Sequence, residues 1–167
     1  MKYIKKFEYF GEGEHADFDN DAGEKFWGNV AGGCLPICSS TKRILLNYRS
    51  KYVNEPHTYN LFGGKLDDNE DIEYAVKREL YEETGYRGIL ELIPVFVFRN
   101  ENKTFEYHNF IAKIDTEFKP KLNWESEGFK WVTFDELMTI EHKHPGLELL
   151  LEDDESITTI KNILSKS

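Results

Sequence analysis

The sequence predicts an α/β domain in which helices pack on the faces of a mixed β-sheet. Two observations support this prediction: β-rich runs occur on both sides of a long amphipathic helix, and helical segments follow the last run. The 167 residues suffice for one domain with a sizeable core. We expect this domain to occupy residues 30–167. Residues 1–29 form a polar, glycine-containing lead-in with room for one edge strand.

Three short strands are expected before the long helix. The runs AGGCLPIC (31–38) and RILLNY (43–48) flank the turn SSTK, and HTYNLF (57–62) is the third. The only two cysteines, Cys34 and Cys38, share one face of the first strand. We expect both to be buried, reduced thiols, because a disulfide or metal site has too few partners here. A cytoplasmic location follows from this prediction.

The second half of the chain predicts more strands and two helices. Three further β-rich runs are 89–98, 104–114 and 129–134, and the turn-like RNENK makes the first two a hairpin. The short segment FDELMTI and the final segment ESITTIKNILSK are predicted helices, and Asp154 is the expected N-cap of the last one.

The long helix is predicted from Ile72 to Thr84. Asp71 is a favourable N-cap, and Gly85 is the residue type expected just beyond a helix end. At about 100° per residue, Ile72, Val76 and Leu80 form an apolar stripe. The positions expected on the opposite, solvent-facing side are Glu73, Lys77, Tyr81 and Thr84.

Three acids of this helix lie toward its apolar side, and we call them the helix glutamates: Glu79, Glu82 and Glu83. Carboxylates on a partly buried face are costly unless positive charge compensates them. Arg78 reaches Glu82 at i,i+4, but one arginine cannot balance three acids. The pattern therefore predicts a site for a hard divalent cation, Mg²⁺ or Mn²⁺.

Two further features restrict the ligand. Gly63 and Gly64 follow a strand and precede the acidic helix, so their backbone can approach phosphate oxygens beside the metal. The chain carries 21 basic and 31 acidic residues, a net charge of −10. This charge disfavours binding to an extended nucleic acid, which requires a basic surface. A small anionic ligand held through a cation fits better.

The segment 64–86 resembles the signature motif of the Nudix hydrolase superfamily, glycine-x5-Glu-x7-Arg-Glu-apolar-x-Glu-Glu-x-glycine-apolar. The matching residues are Gly64, Glu70, Arg78, Glu79, Leu80, Glu82, Glu83, Gly85 and Tyr86. Tyr86 stands where an aliphatic residue is commoner. The resemblance extends from about Val30 to Leu151.

The resemblance implies a Nudix-type α/β/α sandwich and an Mg²⁺-dependent hydrolase. Such an enzyme cleaves a pyrophosphate bond in a nucleoside diphosphate linked to another moiety, by water attack at phosphorus. It further implies that the helix glutamates and Gly64 hold Mg²⁺, with Mn²⁺ as a substitute. Arg78 would orient these glutamates, Glu70 would tie the preceding loop to the helix, and Gly63 would contact the substrate.

The catalytic base and other substrate contacts lie outside this motif. Glu125, six residues before Trp131, is the preferred base beside the catalytic Glu82 and Glu83, with Glu127, Glu101 and Glu106 as alternatives. Arg49, at a strand end, is a predicted phosphate clamp.

Other conspicuous side chains have simpler interpretations. We expect His108 to be a packing histidine with a hydrogen-bond partner, and Tyr107 and Phe110 to be core residues. The alternatives are contact of His108 with the substrate and stacking of Tyr107 or Phe110 on a nucleobase. The remaining histidines are expected at the surface: His15, His57, His142 and His144.

Other functions remain open from sequence. A catalytically silent Nudix-fold module would bind nucleotides without turnover, and an isopentenyl diphosphate isomerase-like reaction would require Cys34 or Cys38. The resemblance also implies a homodimer, which is the assembly of many members of the family. No apolar run is long enough to span a membrane. The identity of the substrate does not follow from the sequence.

Overall fold

The computed structural model describes residues 30–101 and 104–166, so the predicted lead-in, and His15 within it, lie outside the described residues. These residues form seven strands: β1 (Val30–Cys38), β2 (Arg43–Arg49), β3 (Tyr59–Asn60), β4 (Phe62–Lys65), β5 (Glu91–Arg99), β6 (Glu106–Ile114) and β7 (Ser126–Val132). The described helices are α1 (Ile72–Thr84), α2 (Phe134–Thr139), α3 (Pro145–Glu152) and α4 (Asp154–Ser165).

The strands form one mixed sheet in the order β3-β2-β1-β6-β5, with β4 paired to β1 and β7 to β2. Strands β1 and β6 run parallel in continuous register from Val30 opposite Glu106 to Cys38 opposite Ile114. The other pairs are antiparallel, including β1 with β2 and the hairpin β5–β6. The predicted mixed sheet and the predicted hairpin are therefore confirmed.

Each face of the sheet has its own hydrophobic core. Helix α1 covers one face, where Val76 and Leu80 pack against Phe62 and Phe110. Helices α2, α3 and α4 cover the other face, where Leu137, Leu147 and Ile160 belong to the larger core. Each fully buried aliphatic side chain stabilises the fold by about 1.5–3 kcal/mol. The arrangement is the predicted α/β/α sandwich.

Helix α1 begins and ends where its sequence predicts. The Asp71 carboxylate accepts a hydrogen bond from the Tyr74 N–H at 3.4 Å. Gly85 adopts φ 76°, a left-handed conformation that favours glycine, and its N–H donates to the Tyr81 carbonyl at 2.7 Å. Both ends of the helix are thus specified by local chemistry.

One residue on the expected solvent-facing side of α1 is buried instead. Thr84 is 1% exposed, and its hydroxyl donates to the Leu80 carbonyl at 2.5 Å. The Lys121 N–H donates to the Thr84 carbonyl at 2.8 Å, so the β6–β7 connection covers the last turn of the helix. This long-range contact is not visible in helical periodicity.

The C-terminal helices differ from the expectation in two ways. The N-cap of α4 is Asp153 rather than Asp154, because the Asp153 carboxylate accepts from the Ser156 N–H at 2.8 Å. Helix α3 was not predicted, and His144, expected at the surface, is its completely buried N-cap. The His144 Nδ1 accepts from the Gly146 N–H at 2.9 Å, which explains why this side chain is inside.

The strand predictions differ from the structure in details only. The run HTYNLF is divided between β3 and the start of β4, and β7 begins three residues earlier than FKWVTF. Cys34 and Cys38 are buried and free, as expected. Tyr107 and Phe110 are buried, which confirms their assignment to the core. No described helix is long and apolar enough to cross a membrane.

Candidate active site

A cavity of about 300 Å³ lies between helix α1, strands β2–β4 and the β6–β7 connection. Of the residues proposed from sequence, those lining it are the helix glutamates, Gly63, Gly64, Arg49 and Glu125. Glu70 and Arg78 lie beside it and hold its acidic side chains. Folding therefore brings residues separated by up to 76 positions (Arg49 to Glu125) into one place.

Gly63 and Gly64 lie within β4 rather than after a strand, because they pair with Gly33 and Gly32 of β1, and they let β4 approach α1 closely. The Gly63 N–H donates to the Glu83 carboxylate at 3.0 Å. A Cβ on Gly64 would lie 2.6 Å from the Glu79 carboxyl carbon, so a side chain there would displace the carboxylate. A Cβ on Gly63 would lie 2.6 Å from the Tyr107 hydroxyl oxygen. Both positions are thus fixed by contacts rather than by turn geometry.

Arg78 organises the acidic side of the cavity. Its Nε and Nη2 donate to the two carboxylate oxygens of Glu70 at 2.7 and 2.9 Å. Its Nη1 donates to Glu79 at 3.0 Å and to Glu82 at 3.1 Å. The guanidinium lowers the pKa of the Glu70 carboxyl through these hydrogen bonds. Arg78 therefore links Glu70 to both Glu79 and Glu82.

The carboxylates of the cavity repel one another. Burial, reinforced by the charges of Glu82 and Glu125, raises the pKa of Glu79 to about 7 although Arg78 opposes the shift. Burial raises the pKa of Glu83 well above its usual value, and Glu125 and Glu79 add to this effect. Burial likewise raises the pKa of Glu125, while Arg49 opposes the increase. Such clusters of perturbed acids mark functional sites.

The donor set fits a hard divalent cation. The groups are carboxylate oxygens and the backbone at Gly64. A cation would compensate the burial that chiefly raises the pKa values of Glu79 and Glu83, and it would also relieve the smaller contribution from repulsion. In residues 30–101 and 104–166, no three His, Cys, Asp or Glu side chains are gathered closely enough to enclose a metal. Mg²⁺ suits an open arrangement, because it usually binds through one or two carboxylates plus waters and substrate phosphates.

Among the four acids considered as a base, only Glu125 lines the cavity. Glu127 accepts from the Lys51 N–H at 2.9 Å, and so fastens a neighbouring loop instead. Glu106 accepts a hydrogen bond from the Arg99 Nε at 2.8 Å, and Glu101 is exposed in a turn. The position of Glu125 favours it over the other three as the base.

Arg49 lies among the acids of the cavity. Its Nε donates to the Asn54 carbonyl at 2.8 Å, and its charge opposes the increase in the pKa of Glu83 and Glu125. A guanidinium in this position is suited to contact a phosphate oxygen. His108 lies outside the cavity lining, with its Nε2 3.1 Å from a Glu106 oxygen.

Several cavity residues were not recognised in the sequence. Asn47, Asn60, Asn123 and Trp124 line the cavity, and Tyr107 has a wall position in addition to its core position. Nothing in the local sequence distinguishes these asparagines from ordinary strand or turn residues. Trp124 had one signal, since a large aromatic side chain directly precedes the proposed base.

The fold and this site define an α/β/α protein in which an acidic helix lines a cavity at one face of a mixed sheet. The sequence matches the NUDIX domain family over residues 29–152, so the chain belongs to this family.

Individual relatives support the same assignment. The chain is 29% identical over 102 residues to the "Putative 8-oxo-dGTP diphosphatase" of Bacillus subtilis, covering 61% of this chain and 65% of that protein. It is 46% identical over 53 residues to the CMP-5'-(N-acetyl-N-hydroxy-3-aminopropyl)phosphonate hydrolase of Streptomyces rubellomurinus, covering 32% of this chain and 26% of that protein. The matched segment is thus less than two thirds of either relative.

Solved structures show the same fold. The Nudix hydrolase RenU of M. smegmatis superimposes with a TM-score of 0.64 and 23% identity, covering 80% of this chain and 88% of that chain. At this identity the likeness supports the fold alone.

Proposed function

We propose that this protein is an Mg²⁺-dependent hydrolase that cleaves a pyrophosphate bond in a nucleoside diphosphate linked to another moiety, by water attack at phosphorus. The observation that carries the proposal is the cavity itself. It combines the helix glutamates, the Gly63–Gly64 backbone, Arg49 and Glu125 in one place. These are the groups that phosphoanhydride hydrolysis requires.

The helix glutamates and the Gly64 backbone would hold Mg²⁺, or Mn²⁺ in its place. When bound, the ion neutralises phosphate charge and makes a bound water more acidic. Arg78 would keep Glu79 and Glu82 in position, and Glu70 would hold Arg78; the hydrogen bonds among these side chains support this part of the proposal.

The remaining roles belong to groups that face the substrate. Arg49 would bind a phosphate oxygen, and the Gly63 segment would approach the phosphates closely. Glu125 would accept the proton of the attacking water, because a carboxyl with a raised pKa is a better base near neutral pH. Glu82 and Glu83 would share in the catalytic centre by holding the metal next to that water.

The substrate is proposed to be a small nucleotide rather than an extended nucleic acid. The net charge of −10 disfavours a long phosphate backbone. Two relatives are named for nucleotide substrates, 8-oxo-dGTP and a CMP-linked phosphonate. A cytoplasmic location and a homodimer are part of the same proposal.

A nucleotide panel tests the proposal. The purified protein is incubated with nucleoside triphosphates, ADP-ribose, NADH, sugar nucleotides and dinucleoside polyphosphates, with Mg²⁺ and then with Mn²⁺. Release of a nucleoside monophosphate is measured by chromatography. Turnover of at least one compound that requires the metal is expected. Nucleotide binding without turnover of any compound would contradict the proposal and support the silent binding module.

A further inference from the structure

We propose that Asn60, together with Asn47, recognises the nucleobase of the substrate by pairing with a base edge that carries an N–H donor beside an acceptor atom. This inference rests on the proposed function, because it concerns the non-phosphate part of the same ligand.

The two asparagines are neighbours on adjacent strands. Asn47 in β2 is directly opposite Asn60 in β3 in the antiparallel register. Residues opposite each other project from the same face with their Cβ atoms about 5 Å apart. Both line the cavity, and they are only 3% and 6% exposed. Asparagine is mostly a surface residue, so two adjacent buried carboxamides call for a reason.

Their hydrogen bonds differ. The Asn47 Oδ1 accepts from the Ser126 hydroxyl at 2.7 Å, which leaves its Nδ2 donors as the group that Asn47 offers to the cavity. The Asn60 Oδ1 is buried and has no hydrogen-bond partner in the described part of the chain. Buried carbonyl oxygens almost always have a partner, and the exceptions are often functional. A ligand N–H is the partner that Asn60 lacks.

The surrounding walls suit a planar ring. Besides its charged groups and its asparagines, the cavity is lined by the apolar and aromatic side chains Val53, Leu61, Phe105, Tyr107 and Trp124. Trp124 is 64% exposed although it borders the cavity, so a large aromatic face is open to a ligand. Apolar walls with a few uncharged polar groups are typical of sites that orient a flat ligand.

The hydrogen-bonding groups of the two asparagines match a nucleobase rather than the phosphates. A phosphate offers only acceptor oxygens near neutral pH, so it cannot satisfy the Asn60 Oδ1. Purine and pyrimidine edges place an N–H donor beside an acceptor, which matches the Asn60 oxygen and the Asn47 amide together. A ribose hydroxyl is the other donor in a nucleotide, and the experiment below separates the two.

Binding of nucleoside monophosphates tests the inference without depending on hydrolysis. Calorimetry compares AMP, GMP, CMP, UMP and ribose 5-phosphate on the wild-type protein and on Asn60→Leu. The wild-type protein is expected to bind at least one nucleotide about tenfold more tightly than the weakest nucleotide and ribose 5-phosphate. Asn60→Leu is expected to remove that preference. Asn162→Leu, at an exposed position of α4, is the matched control and keeps the preference.

A thermal melt of the same variants separates recognition from structure. Asn60→Leu has a similar size and removes an unpaired buried oxygen, so its Tm is expected to equal or exceed that of the wild type. A lower Tm with an unchanged base preference would show that Asn60 is structural and would overturn the inference. Equal binding of all four nucleotides and ribose 5-phosphate by the wild type would overturn it as well.

A second measurement needs no variant. The preferred nucleotide is compared with an analogue in which the donor N–H on the base is methylated. The analogue is expected to bind about tenfold more weakly, and equal binding would contradict the pairing with Asn60. Base preference without turnover of any substrate would contradict only the proposed hydrolase function. Turnover without base preference would contradict only this inference.

Discussion

Two arginines of this protein form pairs with glutamates of nearly the same geometry. Arg43, at the start of β2, donates to the two carboxylate oxygens of Glu117 at 2.7 and 2.6 Å. Arg78, in the middle of α1, donates to the two carboxylate oxygens of Glu70 at 2.7 and 2.9 Å. Seen alone, each is a strong, two-point ion pair.

The two ion pairs differ in the charges that surround them. Near Glu117 the additional partner is an uncharged hydroxyl, that of Thr41, which donates at 2.5 Å. Arg78 also contacts Glu79 and Glu82, and Asp67 lies 3.7 Å from its Nε, so one positive charge faces four acids. The first pair neutralises itself and has a structural role. The second leaves an excess of negative charge, which is the condition for binding a cation.

The largest expected effect comes from removing a charge on the acidic side of the cavity. Glu83→Gln should lower turnover by at least about a hundredfold, because it removes a proposed metal ligand. The fold should be retained, since the substitution also relieves repulsion between like charges. Steady-state kinetics with Mg²⁺ measures the loss, and a thermal melt checks the fold.

The matched control lies on the same helix. Glu73→Gln removes the same charge from an exposed position outside the cavity and should leave turnover nearly unchanged. Full activity of Glu83→Gln, or an equal loss in Glu73→Gln, would contradict the assignment of the metal site.

The amino-acid sequence predicts this acidic region well because the information is local. The helix bounds follow from Asp71 and Gly85, and the direction of the helix glutamates follows from the 3.6-residue period. The spacing of Gly63 and Gly64 before the helix is local as well. Outside this region the prediction was less complete: Arg49 and Glu125 were proposed, but other cavity residues whose positions depend on long-range contacts were missed.

Two examples show why. The pairing of Asn60 with Asn47 depends on strand register, and the burial of Thr84 depends on a chain segment 37 positions away at Lys121. Helix α3 was missed because it has only eight residues and its N-cap is an unusual histidine. His144 is recognised as an N-cap from its buried position in the structure, because the sequence around it does not distinguish it from a surface histidine.

Replacing each arginine by lysine sharpens the comparison. Arg78→Lys should lower turnover by about tenfold or more, because an ammonium cannot hold Glu70, Glu79 and Glu82 in one arrangement. Arg43→Lys should leave turnover unchanged, because Glu117 does not line the cavity. The measurement is kcat/KM at saturating Mg²⁺. Equal losses in the two variants would mean that Arg78 has only a structural role.

Adding Mg²⁺ should raise the thermal stability of the protein through the acids around Arg78 and not through the Arg43–Glu117 pair. Mg²⁺ at about 100 times its Kd should stabilise the protein by about 2.7 kcal/mol, a Tm increase of about 5–10 °C. Differential scanning fluorimetry measures the shift. Glu117→Gln should show the same increase as the wild type, whereas Glu83→Gln should show little. A shift that survives in Glu83→Gln would place the metal elsewhere.

The smallest expected effect is on acid stability. Hydrogen bonds from Arg78 lower the pKa of Glu70. At Glu117 burial acts in the opposite direction, but the hydrogen bonds from Arg43 and Thr41 give a net decrease in pKa. Each carboxylate therefore stabilises the fold above its ordinary pKa of 4.5, and that stability is lost as the pH falls through the lower, folded-state pKa.

Melting curves between about pH 6 and pH 3 test this linkage. The Tm of the wild type should fall more steeply below pH 4.5 than that of either Glu70→Gln or Glu117→Gln. The Glu70 variant should flatten the curve more, because the Glu70 side chain is 8% exposed against 19% for Glu117, and solvent screens the second pair more strongly. A larger effect of Glu117→Gln would contradict this order. It would show that the other acids around Arg78 weaken the Arg78–Glu70 pair and so lower its contribution to the stability of the fold.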